Sequence, residues 1–391
     1  MTRKLATIEV VKALLPIPGA DRIELALIKG WQVVVKKGEF AVGDQAVYFE
    51  IDSWIPNTIA PFLTKEGYAP KEYGGVQGER LKTIKLKKQI SQGLLLPLAG
   101  SMMTKFGNSP EFLKSGLAEG TDVTEALGIQ KWEAPEEKNA NTSLMPSKTR
   151  EFPYFIKKTD QERVQNYGHL VVRELDTVFE ASMKKDGSSM TVFRVNPDSE
   201  YYADAKKLLG IKDSLWTRLK IRFFGGKQEP VFGICSRNVL LPLEGNSNFH
   251  KAAAPLLAYL CSGASKMTDG SIALQGEVVA PDIQGNYEKV SGVEFHLFDI
   301  FDIDEQKYYL PGERRLFAGI SEINHATVVA EGTLREILGL KDGDDVVQKA
   351  LTFASGKGDN EGVMREGIVF KAYGRDFSFK AISNEYLLHK G

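Results

Sequence analysis

Short strand-like segments, separated by turn residues, occupy the chain between Leu5 and Leu98 and restrict the fold of this part. The segments are rich in β-branched and aromatic residues, and turn signals fall at Pro18-Gly19, Lys37-Gly38 and Gly43-Asp44. A series of five or six such strands favours a small β-barrel. The predicted strands are Leu5–Val11, Ile23–Ile28, Trp31–Val35, Ala46–Ile51, Arg80–Leu86 and Ile90–Leu96.

One of these segments is strongly basic. In the run from Arg80 to Lys88, the basic residues first occupy even positions, Arg80 and Lys82, and then odd positions, Lys85 and Lys87. The strand therefore changes face midway, and we expect a bulge there. OB-type barrels use basic strands and aromatic platforms to follow a nucleic-acid backbone, but lysines also protect solvated edge strands. The residues favour the two interpretations equally.

Composition and charge exclude several classes of protein. The chain of 391 residues is long enough for two or three domains, and its net charge of -1 excludes a uniformly basic protein. Cys235 and Cys261 lack disulfide or metal spacing and indicate a reducing cytoplasm, and the histidines show no metal-ligand spacing. Glu9 and Lys12 interrupt the N-terminal apolar residues, which argues against a signal peptide, and no stretch is apolar enough to span a membrane.

A polar segment with two prolines divides the chain and is predicted to be a linker over residues 133–150. We therefore expect a barrel domain over residues 1–132 and a second domain over residues 151–391.

Two further segments of the second domain are predicted to be helical. Thr159 or Asp160 is expected to cap a short helix that carries Arg163. The basic segment Lys206–Lys227 is expected to be a helical insertion, which either holds phosphates or, as the simpler interpretation, covers an amphipathic helix.

The stretch Glu180–Arg194 is predicted to form two strands joined at a turn, and Lys184 is its central residue. By the two-residue period, Ser182 and Lys184 share a polar face above an apolar one, and Asp186-Gly187 supplies the turn of a hairpin. Lys184 would then face a cleft, where a deprotonated amine can attack a phosphate. For this motif taken alone, an ordinary hairpin with a solvated lysine is the favoured interpretation.

More strands with polar residues follow. The segment Ile272–Val279 places Gln275 and Glu277 on one face, and Glu294–Phe301 is strongly apolar, so together they indicate a lined cleft. Two closing strands, each with a lysine, are predicted over Gly367–Ala372 and Phe377–Ile382.

Six short motifs follow one another in the order found in covalent nucleotidyltransferases. They are Lys184-x-Asp186-Gly187, Ser236-Arg237-Asn238, Gln275-Gly276-Glu277, Phe298-Asp299, Glu366-Gly367-Ile368-Val369 and Ser378-Phe379-Lys380. Over nearly its whole length the chain resembles the ATP-dependent RNA ligases, most closely the nick-sealing group with an N-terminal OB module. The resemblance implies an α+β fold, in which an OB-like β-barrel precedes a nucleotidyltransferase domain of antiparallel sheets with flanking helices.

The resemblance also implies roles in ATP binding. Lys184 would be the adenylylated nucleophile, Phe298 would stack on adenine, and Lys380 would bind the α-phosphate. Arg237 would contact a phosphate or the 5' end, and Arg163 the outer phosphates of ATP.

The same resemblance implies a metal site. Asp186, Glu277 and Glu366 would hold the hydration shell of Mg²⁺ or Mn²⁺, and Glu277 and Glu366 would also border the nucleotide.

One position departs from the family pattern. Related ligases often carry two lysines around the last motif, whereas Ser378 stands two residues before Lys380 here. One phosphate contact is therefore missing unless Lys371 supplies it.

The implied function is the joining of 3'-hydroxyl and 5'-phosphate RNA ends in a nicked duplex, through a lysine-AMP intermediate and an AMP-capped 5' end. The enzyme is expected to be a cytoplasmic monomer that binds RNA, in part through Arg80, Lys82, Lys85 and Lys87, without contact to membranes. DNA ligases and capping enzymes use the same chemistry but resemble proteins with an OB domain after the last motif, and only 391 - 380 = 11 residues follow Lys380. A non-catalytic RNA-binding protein of this fold is the other alternative, and the intact motif residues argue against it.

Overall fold

The computed structural model describes residues 3–98, 117–132, 150–212, 228–262 and 270–390. Within residues 3–98 and 117–132 the strands form small sheets of two to four strands, with the orders β1-β5-β11, β2-β3-β4, β9-β10 and β12-β6-β8-β7. The strands are β1 (Ala6–Val10), β2 (Ala13–Pro16), β3 (Ile23–Ile28), β4 (Trp31–Lys36), β5 (Gln45–Phe49), β6 (Ser53–Pro56), β7 (Lys71–Tyr73), β8 (Val76–Arg80), β9 (Thr83–Leu86), β10 (Gln89–Gln92), β11 (Leu94–Pro97) and β12 (Gln130–Lys131).

Strand β5 joins the two halves of this region's core. Val47 and Phe49 enter one apolar cluster, while Ala46 and Tyr48 enter the other, because successive side chains of a strand point to opposite faces. Both faces of β5 are therefore buried, as its nearly continuous apolar sequence requires.

The single strand predicted over Arg80–Leu86 is wrong, and so is its bulge. The chain forms β8, which pairs with β6, and then β9, which pairs with β10 in another sheet. Between them the N–H of Leu81 donates to the carbonyl of Ser53 at 2.8 Å, and the N–H of Asp52 donates to the carbonyl of Leu81 at 2.9 Å. These bonds and the burial of Leu81 fix the crossing, which changes the face of the basic residues.

The described residues from 150 onward form two sheets. The larger has the order β13-β18-β17-β16-β19-β20-β21, and the smaller has the order β14-β24-β23-β15-β22, with only β14 and β24 parallel. Their strands are β13 (Arg150–Glu151), β14 (Glu162–Arg163), β15 (Val178–Lys184), β16 (Ser188–Val195), β17 (Val231–Ser236), β18 (Val239–Leu241), β19 (Ile272–Val279), β20 (Glu294–Asp302), β21 (Lys307–Tyr308), β22 (Val328–Thr333), β23 (Gly367–Ala372) and β24 (Ser378–Ile382).

Helices cover the outer faces of both sheets. The helices are α1 (Val164–Val171), α2 (Tyr202–Leu209), α3 (Asn248–Ser262), α4 (Pro311–Ile320), α5 (Leu334–Leu338), α6 (Val346–Ala354) and α7 (Asn384–Lys390). Helices α1, α5 and α6 share an apolar core with the smaller sheet, and α3 and α4 share one with the larger sheet. This packing leaves the inner faces of the two sheets to form a cleft.

The hairpin predicted over Glu180–Arg194 is also wrong, although both of its strands exist. Strand β15 pairs with β22 and β23 of the smaller sheet, whereas β16 pairs with β17 and β19 of the larger sheet. Gly187 lies between them without a positive φ, and a Cβ on it would approach the carbonyl oxygen of Val278 to 2.3 Å. The glycine therefore permits a close crossing between sheets rather than a hairpin turn.

Predictions for the other segments had mixed outcomes. The helix expected after Thr159 or Asp160 begins only at Val164, and Arg163 ends the short strand β14 instead. Helix α2 ends where Gly210 adopts a φ of 71°, which a helix C-terminus favours. Residues 213–227 and most of the predicted linker lie outside the described residues. No helix among the described residues is long and apolar enough to cross a membrane.

Candidate active site

Lys184 ends β15 at the point where the chain leaves the smaller sheet for the larger one. Phe179 and Ala181, on the opposite face of the strand, are fully buried in the core beneath it, as the two-residue period predicts. The lysine side chain keeps 28% of its surface exposed and faces the cleft.

Both sheets contribute to the pocket around Lys184. The smaller sheet supplies Lys184, Lys371 and Lys380, and the larger sheet supplies Glu277 and Phe298. Arg237 completes the pocket from the turn after β17, and Asp186, Glu366 and Arg163 line the wider groove that continues from it. The structure thus brings residues of all six sequence motifs to one cleft.

Lys184 is held by a buried carboxylate. Its Nζ lies 2.7 Å from Oε2 of Glu366. Burial alone would lower the pKa of Lys184, but the charges of Glu366 and Glu277 outweigh it and raise the pKa above the ordinary value. Without a further cation the lysine therefore remains an ammonium, which is not nucleophilic.

Glu277 is the second acid beside Lys184. Burial raises its pKa to about 7; Lys184 opposes this shift, and the neighbouring charge of Glu366 adds to it. Burial likewise raises the pKa of Glu366, against the opposing charge of Lys184. Two neighbouring acids, of which Glu366 is buried and Glu277 partly buried, resist ionisation together and have the chemistry of a site for a hard cation.

Asp186 lies beside the pocket and has partners outside it. Its Oδ2 forms an ion pair with Nζ of Lys390 at 2.7 Å, and its backbone N–H donates to Oε1 of Glu288 at 3.0 Å. Over the described ranges, no three acidic, histidine or cysteine side chains converge closely enough to be direct ligands of one metal ion. The predicted trio is therefore not assembled as a direct ligand set.

Asp160 lies at the basic end of the pocket and contacts both Arg237 and Lys380. Its Oδ1 lies 2.7 Å from Nη2 of Arg237 and 3.9 Å from Nζ of Lys380. Burial lowers the pKa of Lys380 to about 7, with Asp160 opposing and the charge of Arg163 adding to the shift. Burial opposes ionisation of Asp160, but Arg237 and Lys380 prevail and lower its pKa to about 2. An anionic phosphate placed here would meet the guanidinium of Arg237 and would favour the protonated form of Lys380.

The apolar end of the pocket is the ring of Phe298, which sits at an irregularity of β20. Pairing with β19 shifts so that Gln275 faces Asp299 and Gly276 faces Leu297, which leaves Phe298 as the extra residue. Its carbonyl accepts a hydrogen bond from Nζ of Lys371 at 2.6 Å. The ring is half-buried and lines the pocket, and its stacking on adenine stays a prediction.

Lys371 lies directly opposite Ser378 in the pairing of β23 and β24. A lysine is therefore present beside the position where related ligases often carry a second lysine and this chain has a serine. However, its Nζ also forms an ion pair with Oδ1 of Asp299 at 2.8 Å. Burial lowers the pKa of Lys371 to about 8, with Asp299 opposing.

Arg163 lies outside the Lys184 pocket, at the contact between the barrel and the two-sheet region. Its Nη2 is 3.3 Å from Oδ2 of Asp52 and its Nε is 3.7 Å from Oε1 of Glu50. The side chain is 6% exposed and borders the wider groove.

The four basic barrel residues fall into two pairs. Arg80 forms an ion pair with Asp52 at 2.6 Å and stacks 3.8 Å above the ring of Trp132, and both Arg80 and Lys82 line the wider groove. Lys85 and Lys87 lie on the exposed β9–β10 hairpin, away from that groove.

Three residues of the site were missed by sequence reasoning. Asp160 was singled out only as a helix cap, and no local pattern marked Glu288 or Lys390. Their partners lie far away in the sequence, so only the folded chain reveals them.

Comparisons with known proteins agree with this architecture. A family model described as an OB-fold domain matches residues 5–98, and one described as RNA ligase matches residues 177–382. A Naegleria gruberi RNA ligase variant with ATP and Mn is 36% identical, with a TM-score of 0.74 and 98% of each chain covered. Another variant, with AMP and Mn, is 37% identical with a TM-score of 0.75, again over 98% of each chain. The same ligase with PPi is 37% identical, with a TM-score of 0.74, covering 99% of this chain and 98% of that one. A search of curated proteins gave no match.

The fold is therefore an N-terminal OB-fold domain followed by a ligase domain, and the α+β prediction is confirmed. The chain belongs to the RNA ligase family.

Proposed function

We propose that this RNA ligase uses ATP to join a 3'-hydroxyl to a 5'-phosphate at a nick in an RNA-containing duplex. The main support is the pocket itself, which Lys184 lines together with the basic residues Arg237 and Lys380 and the ring of Phe298. ATP and AMP in the Naegleria gruberi structures support ATP as co-substrate.

The proposed reaction has three balanced steps. The neutral amine of Lys184 attacks the α-phosphate of ATP, so that an N–P bond forms, the bond to pyrophosphate breaks and the nitrogen loses a proton to solvent. The 5'-phosphate of the RNA then attacks that phosphorus, the N–P bond breaks, the lysine nitrogen regains a proton and an AMP-capped end is left. Finally the 3'-hydroxyl attacks the phosphorus of the 5'-phosphate, so that the phosphodiester forms, the bond to AMP breaks and the hydroxyl proton passes to solvent.

Each side chain has a place in these steps. Arg237 and Lys380 would hold phosphate oxygens, and Phe298 would stack on the adenine. Arg163 is proposed to contact the outer phosphates from the wider groove, which its side chain borders. Lys371 is a weaker substitute for the missing motif lysine, because Asp299 already holds it.

The acids are proposed to act with a divalent cation. Glu277 and Glu366 fit Mg²⁺ or Mn²⁺, because both are carboxylates with raised pKa values beside an ammonium, and Asp186 lines the same groove. A bound cation would neutralise charge on the α-phosphate and on these acids. Glu366 would then hold Lys184 less strongly as an ammonium, so that it could lose its proton.

The two domains are proposed to have different functions. Residues 1–132 would engage RNA, residues 133–150 would link the domains, and residues 151–391 would carry out adenylylation. The basic residues Arg80, Lys82, Lys85 and Lys87 are proposed to contact phosphates. The two free cysteines support a reducing compartment such as the cytoplasm, and we propose a monomer as the working form.

Incubation with ATP labelled in the α-phosphate and Mn²⁺ tests the covalent step. After denaturation the wild-type chain should carry label, and Lys184→Met should carry none. Lys349→Met is the matched control, because Lys349 lies on α6 and pairs only with Asp344 among the residues described. An unlabelled wild-type chain would leave only the non-catalytic RNA-binding alternative.

A set of nicked duplexes tests the substrate. We expect sealing to require ribose at the end of the 3'-hydroxyl strand, because the 2'-hydroxyl favours A-form geometry and aligns the attacking oxygen. Changing the 5'-phosphate strand to DNA should not reduce the sealing rate. Equal sealing rates with a terminal deoxyribose would instead favour a DNA ligase.

A further inference from the structure

The last helix of the described chain connects the barrel with the active site. On one face of α7, Leu387 packs against the apolar core of the barrel, and Oδ1 of Asn384 accepts a hydrogen bond from Nε2 of Gln92 at 3.1 Å. On another face, Tyr386 is buried and packs edge-on against Tyr287, with ring centres 5.0 Å apart. The helix therefore has contacts on both sides that fix its position.

Lys390, at the end of this helix, is held at a defined point beside the acids. Its Nζ lies 2.7 Å from Oδ2 of Asp186, donates to the carbonyl of Gln284 at 2.9 Å and lies 5.4 Å from the centre of the Tyr287 ring. Three such contacts distinguish it from a mobile surface lysine.

Asp186 also belongs to the charge environment of the reacting lysine. Its charge adds to those that raise the pKa values of Lys184, Glu277 and Glu366. A cation on Asp186 therefore reduces the negative potential at the place where the proposed divalent ion would bind.

We propose that Lys390 is a positioning residue whose ammonium occupies the Asp186 carboxylate and competes with the divalent cation for it. The proposal rests on the proposed function, because it assumes that Asp186 helps to hold the cation. It assigns to α7 a role in setting how readily the active site takes up its metal. Binding of the cation would draw Asp186 away from the end of a helix that is anchored on the barrel.

The test measures Mn²⁺ binding to the full chain without ATP or RNA, by electron paramagnetic resonance of free Mn²⁺. Lys390→Met should bind Mn²⁺ about tenfold more tightly than the wild type, because a positive charge beside the ion is removed. Lys390→Arg keeps the charge and should match the wild type. Lys289→Met is the control, because it also removes one charge from an exposed lysine, whose Nζ bonds only the carbonyl of Gly362 among the described residues.

A purely structural role of Lys390 would leave the Mn²⁺ affinity unchanged or weaken it, and either result in Lys390→Met would overturn the proposal. A gain of the same size in Lys289→Met would do so too, since the removal of any positive charge would then suffice. Adenylylation of the wild-type chain distinguishes a failure of the role proposed for Lys390 from a failure of the proposed function. If the wild type forms labelled lysine-AMP with Mn²⁺ while Lys390→Met shows no tighter binding, only the role of Lys390 fails. If the wild type neither binds Mn²⁺ nor becomes labelled, the proposed function fails, and the role of Lys390 fails with it.

Discussion

Lys184 and Lys185 are neighbours in the chain, yet they lie in opposite kinds of environment. Lys184 faces the cleft, where Glu366 is its close acidic partner and the space above it is open to a substrate. Lys185 follows the last residue of β15 and is 5% exposed, held by Asp359 at 2.5 Å and by Glu288 at 3.2 Å. The two neighbours thus differ in their partners: Lys184 is available for chemistry, whereas Lys185 lies in a buried group of ion pairs that fixes the fold.

The same contrast holds in the barrel. Arg80 is fixed by Asp52 and Trp132, whereas Lys85 and Lys87 stand exposed on a hairpin. A basic residue that already has a buried or stacked partner must leave that partner when it binds a ligand. We therefore expect the paired residues to contribute to stability and the exposed ones to substrate binding.

The largest effect is expected for Lys184→Met. Loss of the nucleophile should reduce covalent labelling by AMP by at least about a thousandfold, because the amine that attacks the α-phosphate is removed. The measurement is the rate of label incorporation into the denatured chain. Appreciable labelling of this variant would mean that Lys184 is not the nucleophile, and the contrast between the two lysines would be wrong.

Lys185→Met should instead act on stability. Removing a buried cation leaves Glu288 and Asp359 uncompensated, which costs roughly 3–5 kcal/mol of unfolding free energy. Urea unfolding measures this loss, and the protein that remains folded should still form lysine-AMP. Lys349→Met, which breaks a partly exposed pair, should cost less than about 1 kcal/mol. A stable Lys185→Met protein that cannot be labelled would reverse the assignment of the two lysines.

Glu366→Gln is expected to change both metal use and pH dependence. Loss of the carboxylate charge of Glu366 should weaken Mn²⁺ binding. The Mn²⁺ concentration needed for half-maximal labelling should therefore rise by roughly tenfold or more. Because the charge of Glu366 raises the pKa of Lys184, its removal should lower that pKa. The neutral amine is the reactive form, so the rise of the labelling rate with pH should move to lower pH at saturating Mn²⁺. Full activity of this variant at low metal would contradict a metal role for Glu366.

The smallest effect is expected in the barrel. Joint replacement of Lys85 and Lys87 by Ala should reduce the slope of log affinity for RNA against log salt by about one for each phosphate that is no longer neutralised. Arg80→Ala should lower the free energy of unfolding more than it changes this slope, because Asp52 loses one of its arginine partners and keeps Arg163. An unchanged slope in the double variant would mean that the lysines only protect a solvated strand.

Local patterns predicted the strands of the site well. Three predicted strands, Ile23–Ile28, Ile272–Val279 and Gly367–Ala372, have the observed bounds, because their alternation and flanking turns are local properties. The folded chain places Lys184, Glu277 and Phe298 in one cleft, which is the arrangement that the resemblance implied.

Other features depend on interactions between distant parts of the chain. The doublet Asp186-Gly187 usually marks a hairpin, but here the glycine is required by the carbonyl of Val278, which no local pattern identifies. Asp160 and Lys390 are ordinary charged residues in sequence, and their roles arise only when Lys380 and Asp186 come beside them. The pairing of Arg163 with Asp52 likewise joins distant parts of the chain and has no local signal in the sequence.

Locating the AMP on the chain tests the central claim most directly. The wild-type chain is incubated with ATP and Mn²⁺, digested at neutral to basic pH to preserve the phosphoramidate, and sequenced by fragment mass spectrometry across residues 178–194. The account predicts the added mass of AMP on Lys184 and none on Lys185. AMP on Lys185, or on a lysine outside the pocket, would contradict it.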